Sequence, residues 1–66
     1  MLRRELKREL RLRTRQLLNL IHNFSVYKAS GRFDLNDEFE IAILETRDII
    51  YNLQLRLEVE AERGRF

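Results

Sequence analysis

Between Lys28 and Asp37 the chain reads KASGRFDLND, the one stretch where glycine, small residues and helix-capping side chains gather. From Leu2 to Lys28 nothing interrupts a helical pattern, and from Leu35 to Arg63 nothing interrupts a second one. Proline is absent and glycine occurs only at Gly31 and Gly64, so no other place invites a turn. The spacing predicts an all-α chain forming one domain over residues 1–66, with helix one over about 2–28, a loop over about 29–34 and helix two over about 35–63. Gly31 can supply the left-handed cap that ends helix one, Asp34 or Asn36 can accept from the free amides that start helix two, and Gly64 can stop it. Two long helices joined by so short a link give an antiparallel helical hairpin.

At ~100° per residue, helix one gathers Leu2, Leu6, Leu10, Leu17, Leu20, Ile21, Phe24 and Tyr27 on one side. Arg3 and Arg13 border that stripe, their methylene stems covering apolar surface while the heads reach water. Helix two carries two apolar stripes. The first holds Phe39, Ala42, Ile43, Ile49, Ile50, Leu53 and Leu57, with Thr46 in its middle. The second holds Ile41, Leu44, Tyr51, Leu55 and Val59, interrupted by Asp48. One partner helix covers one stripe, and the other would face water as a row of large apolar side chains.

Size points the same way. A 66-residue chain buries little surface, and without cysteine it has neither disulfides nor thiolate metal sites to staple it. The expectation is a homodimer, two hairpins closing a four-helix bundle through Ile41, Leu44, Tyr51, Leu55 and Val59, or a different protein partner docked on that same stripe.

Charge is segregated along the chain, although the net charge is only +2. Residues 1–15 carry seven basic side chains against Glu5 and Glu9, a balance of +5. Residues 34–48 carry Asp34, Asp37, Glu38, Glu40, Glu45 and Asp48 against Arg47, a balance of −5. The basic block also sits at the positive end of its helix macrodipole, where cations are disfavoured. Within one hairpin the two blocks lie at opposite ends. If two hairpins pack with their loops at opposite ends, Arg8, Arg11 and Arg15 of each reach the acidic block of the other.

The rival partner is nucleic acid. Arg4, Lys7, Arg8, Arg11 and Arg15 share one helix face, a stripe roughly 16 Å long at ~1.5 Å per residue that can track several phosphates. No aromatic platform, helix-turn-helix spacing or glycine-rich clamp accompanies it. A membrane surface is a weaker fit, because Glu5 and Glu9 share the polar face and the apolar face is needed for packing. No apolar run approaches the ~20 residues that cross a bilayer, and no signal-peptide pattern is seen, so a cytoplasmic location is expected.

At LLNLIHNFSVYKASG and TRDIIYNLQLRLE the chain resembles the small two-helix ribosomal protein family found beside the exit tunnel of the large subunit. Leu17, Leu18, Asn19, Leu20, Ala29, Ser30, Gly31, Arg47, Asp48 and Ile49 carry the resemblance. It implies a ribosome-associated, RNA-facing surface. That family is basic along both helices, whereas residues 34–48 here are acidic. In size and shape the chain is also similar to the small helical-hairpin chaperones of secretion systems.

Chemistry has few carriers. His22 is the one histidine, and Ser25, one helical turn on, has nothing to orient the imidazole or to form an oxyanion hole. Glu38, Glu45 and Asp48 lack the Glu-x-x-His pattern of bundle metal sites. Glu60 falls on the inner projection of helix two, where an ion pair with Arg3 or Arg13 accounts for it. Catalytic, metal and cofactor sites are not expected, and the chain reads as a non-enzymatic interaction or regulatory module.

Overall fold

The computed structural model describes residues 2–63. Two helices fill it, α1 over Leu2–Ala29 and α2 over Asn36–Arg63. Each has 28 residues and so runs ~42 Å at ~1.5 Å per residue. The molecule measures 54 × 15 × 12 Å, so the helices lie side by side as the predicted antiparallel hairpin. Gly64, expected to stop α2, lies outside the described residues, as does the side chain of Leu2.

The turn begins as the sequence predicts. The Ser30 amide still reaches the Val26 carbonyl at 3.1 Å, and the Gly31 amide then tightens onto Lys28 at 3.0 Å. Gly31 takes φ +82°, with open space where a Cβ would sit, so glycine is needed there for its backbone freedom and not for room.

The start of α2 differs from expectation. The Asp34 carboxylate is taken by the Tyr27 hydroxyl, which donates to Oδ1. The Asn36 side-chain oxygen is buried without a protein partner. Neither side chain caps the helix. Instead the Tyr27 hydroxyl accepts from the Leu35 amide at 2.8 Å, and the Leu35 carbonyl accepts the first helical bond, from Phe39, at 3.0 Å. One phenol at the end of α1 therefore pins both Asp34 and Leu35. A tyrosine eight residues away thus fixes the residue from which α2 starts.

Partial burial disfavours the Tyr27 phenolate and Asp34 beside it adds to this, outweighing the Leu35 amide, so its pKa is raised above the ordinary 10.0. A raised acid pKa contributes stability that is complete below the unfolded value and is lost as pH climbs through the folded one. The urea midpoint of the native chain should thus fall more steeply above pH ~10 than that of Tyr27→Phe. In a Tyr51→Phe background, phenolate absorbance should rise with a midpoint above ~10; a midpoint below that would show that the clasp does not hold Tyr27.

The seam between the helices repeats every three and four residues. On α1 it runs through Leu6, Leu10, Arg13, Leu17, Leu20, Phe24 and Tyr27; on α2 through Asn36, Phe39, Ile43, Thr46, Ile50, Leu53, Leu57 and Glu60, with Glu9, Ala42 and Ala61 half-shielded beside it. That is the 3.5-residue period of a coiled coil, in which the helices wrap to keep one edge in contact. The wrap corrects the predicted stripes. Ile21 and Ile49 are exposed, because a straight ~100° projection drifts off a supercoiled seam within a few turns.

Apart from Asn36, the polar seam positions find partners within their own helices. Thr46, only 4% exposed, donates to the Ala42 carbonyl at 2.8 Å. Arg13 pairs with Glu9 at 2.9 Å and donates to Gln16 at 3.1 Å. Glu60 pairs with Arg63 at 3.3 Å, not with the predicted Arg3 or Arg13. Both ion pairs lie on exposed or half-exposed helix surface, and each is worth a few tenths of a kcal/mol.

Register is set near the turn. Phe24 stacks on Phe39 with ring centroids 5.1 Å apart, and Tyr27 tilts against the same ring at 5.3 Å. The Lys28 ammonium covers the outer face of Phe24 at 4.2 Å. Elsewhere the core is thin: among the described residues the buried apolar side chains are Leu6 and Leu53. The accessible surface is 5711 Å², whereas a compact monomer of 8.1 kDa exposes about 4,500 Å².

Candidate interaction surface

The seam fixes where every other side chain stands. Residues directly after a seam position fall on one flank of each helix, and in an antiparallel pair those two flanks form one face of the hairpin. On α1 this face carries Arg4, Lys7 and Arg11 at the free end and Leu18 and Ile21 in the middle. On α2 it carries Asp37 and Glu40 near the turn, then Leu44, Arg47 and Tyr51.

All five residues of the predicted apolar stripe are exposed, Leu44 at 61% and Tyr51 at 59% being the most open. Leu44 and Tyr51 belong to the two-helix face, with Ile41 and Leu55 on its outer edge. Val59 does not join them. Its heptad position turns it toward the other flank, where with Leu55, Arg56, Glu60 and Arg63 it lines a separate depression.

Two apolar residues absent from the predicted surface belong to it. Leu18, 62% exposed, stands on α1 beside the α2 stripe, and Ile21, expected inside, is on the same face. Their signal in the sequence is the heptad itself: each follows directly after a seam leucine, Leu17 or Leu20. The face thus has an apolar middle spread over both helices.

The basic residues are all exposed, and the ion pairs among the described residues involve none of Arg4, Lys7, Arg8, Arg11 and Arg15. They converge on two shallow depressions along α1. One is lined by Arg4, Arg8, Arg11, Leu12 and Arg15 and the other by Arg3, Arg4, Lys7 and Arg11. Arg8 and Arg15 point away from α2, so that charge flanks the apolar face and continues round the back of the helix.

The acidic residues Asp34, Asp37, Glu38, Glu40, Glu45 and Asp48 are exposed too, but they are not one cluster. Asp37 and Glu40 share the apolar face, Glu38 and Glu45 lie on the opposite flank, Asp48 is on the outer edge, and Asp34 is held in the turn by Tyr27. Among the described residues no three His, Asp or Glu side chains are grouped to hold a metal ion, and no helix is long and apolar enough to cross a membrane. No family model matches the chain, and no curated protein or solved structure matches it, so any functional reading starts from this surface.

Proposed function

We propose that the chain is a small non-enzymatic helical interaction module that self-associates through the exposed apolar face of α2, a face a protein partner can also use. The observation that carries this reading is one imbalance: Ile41, Leu44, Tyr51 and Leu55 are exposed, while among the described residues only Leu6 and Leu53 are buried as apolar core and the rest of the apolar seam is half-buried. A hairpin that leaves so many large apolar side chains exposed gains further hydrophobic stabilisation when that face is covered. Two hairpins closing four helices is the simplest cover. Sedimentation of Tyr51→Glu with Leu55→Glu tests it: the native chain should run at two-chain mass and the variant as a single or unfolded chain. An unchanged assembly rules the surface out.

A second reading is favoured by the arginine-lined depression on α1, whose cations have no acidic partner among the described residues. A phosphate backbone fits such a groove as a fixed row of negative charge. Replacing Arg4, Lys7, Arg8 and Arg11 by Glu should abolish RNA or DNA binding at low salt. If the native chain does bind, its log affinity should fall with log salt at a slope of roughly −0.7 to −0.9 per phosphate contacted. No binding by the native chain at low salt excludes this reading.

A further inference from the structure

We propose that the covering partner is a second copy of this chain, packed across a two-fold axis beside Arg47 with the two turns at opposite ends. The proposal rests on the self-association reading and gives it a geometry. Two features of the surface are compatible with the same axis.

The first is the α2 stripe, which is self-complementary. Ile41 and Leu55 lie equally far on either side of position 48, and Leu44 and Tyr51 lie equally far on either side of the point between 47 and 48. Turning a second α2 end for end about that point lays Tyr51 of one copy on Leu44 of the other and Ile41 on Leu55. Every large apolar residue of the stripe then meets another. Val59 has no counterpart in this match, in agreement with its place on the other flank.

The second is charge. The stacked Phe24 and Phe39 set the register, which puts Glu40 level with position 23 of α1 and Asp37 level with position 26. The midpoint between Lys7 and Glu40 along the hairpin is then the level of Arg15, and so is the midpoint between Arg4 and Asp37. Position 48 of α2 lies at that same level. With Lys7 paired to Glu40 and Arg4 to Asp37, the charged residues give the same axis as the apolar ones to within about one residue, or ~1.5 Å.

About that axis the basic free end of one copy lies over the acidic turn end of the other. Of the two cations at the turn end, Lys28 is folded over the Phe24 ring and Arg32 stands in the turn itself, while Glu58 at the free end is outnumbered by Arg4, Lys7 and Arg11. The cations that crowd the positive end of α1 thereby gain the carboxylates they lack within the hairpin. Leu18 and Ile21 then lie opposite Arg11 and Lys7 of the other copy, whose methylene stems are what can cover them. The axis has a further cost: Arg47 faces its own copy, with Asp48 as the adjacent counter-charge. The hairpin exposes about 1,200 Å² more than a compact chain of its mass, and a standard interface takes ~800 Å² from each partner, so the area suffices.

The chain lacks cysteine, so single-cysteine variants joined by a short bismaleimide report on the arrangement. Arg47→Cys should link to itself. Asp37→Cys and Glu58→Cys, standing at mirrored distances from the axis, should link when mixed and not separately. If Arg4→Cys mixed with Glu58→Cys links instead, the turns lie at the same end and the geometry is overturned. If sedimentation shows two chains and none of these links form, another face is used; the geometry fails and self-association stands. If the unmodified chain sediments as one chain, both fail. In the expected arrangement the native dimer also dissociates more readily as salt rises from low to moderate, by several-fold in dissociation constant; a dimer that tightens with salt overturns the charge pairing.

Discussion

Phe39→Ala is expected to lower stability by about 2–3 kcal/mol, enough to unfold much of the population of a hairpin this small. A fully buried Phe costs about 3–5 kcal/mol when cut back to Ala, and Phe39 is half-buried, which sets the lower figure. Its ring is the one that both Phe24 and Tyr27 touch, so the change removes both aromatic contacts between the helices together. Each such pair is worth about 0.5–1.5 kcal/mol beyond the area it covers. Losing them also loosens the register that brings Tyr27 to Asp34 and Leu35. Phe33→Ala is the control: that ring is 66% exposed in the turn, and its removal should shift stability by no more than about 0.5 kcal/mol. Urea denaturation of the two variants decides the matter, with the Phe39→Ala midpoint well below the native one and Phe33→Ala close to it. Equal losses would mean that the aromatic cluster is not what locks the helices together.

The hairpin was legible because its signals are local. A single glycine-containing break flanked by two proline-free helical runs leaves few other folds, and the observed helices begin and end within one residue of the expected bounds where those are described. Partners of the capping side chains were not legible. Asp34 and Asn36 have the right chemistry to start α2, but Asp34 is taken by Tyr27, which reaches the turn from the neighbouring helix, and the Asn36 side-chain oxygen is buried without a protein partner. A sequence presents the cap candidates and conceals the competitor.

The surface was half legible for a different reason. A straight helical projection found Leu44, Tyr51, Ile41 and Leu55 because they stand far from the seam, where a few tens of degrees of drift change nothing. Ile21 and Ile49 stand at the seam's edge, where that drift moves a side chain from inside to outside. Counting steps of three and four from Leu6 places Arg13 on the seam and releases Ile21 to the face that Leu18 also shares. The charged blocks were visible as runs in the sequence. The structure divides them: Asp37 and Glu40 accompany the apolar face, whereas Glu38 and Glu45 turn from it.

Thermal unfolding of the native chain is expected to depend strongly on its own concentration, by about 5 °C for each tenfold change. The figure follows from treating two folded chains as one unfolding unit. At about 2.1 cal/mol/K per residue, two 66-residue chains unfold with an entropy near 280 cal/mol/K, and a tenfold dilution shifts the balance by about 1.4 kcal/mol per dimer. The ratio of the two is about 5 °C. The physical reason is the thin core: with only Leu6 and Leu53 buried as apolar side chains among the described residues, much of the area that must offset chain entropy lies on the outer face. Tyr51→Glu with Leu55→Glu should therefore lose folding along with association, its melting should no longer depend on concentration, and its helical signal at low temperature should fall well below the native one. A native chain with the same melting temperature over a hundredfold dilution range would place the whole stability of the fold inside one hairpin. The exposed stripe would then be a surface the chain folds without.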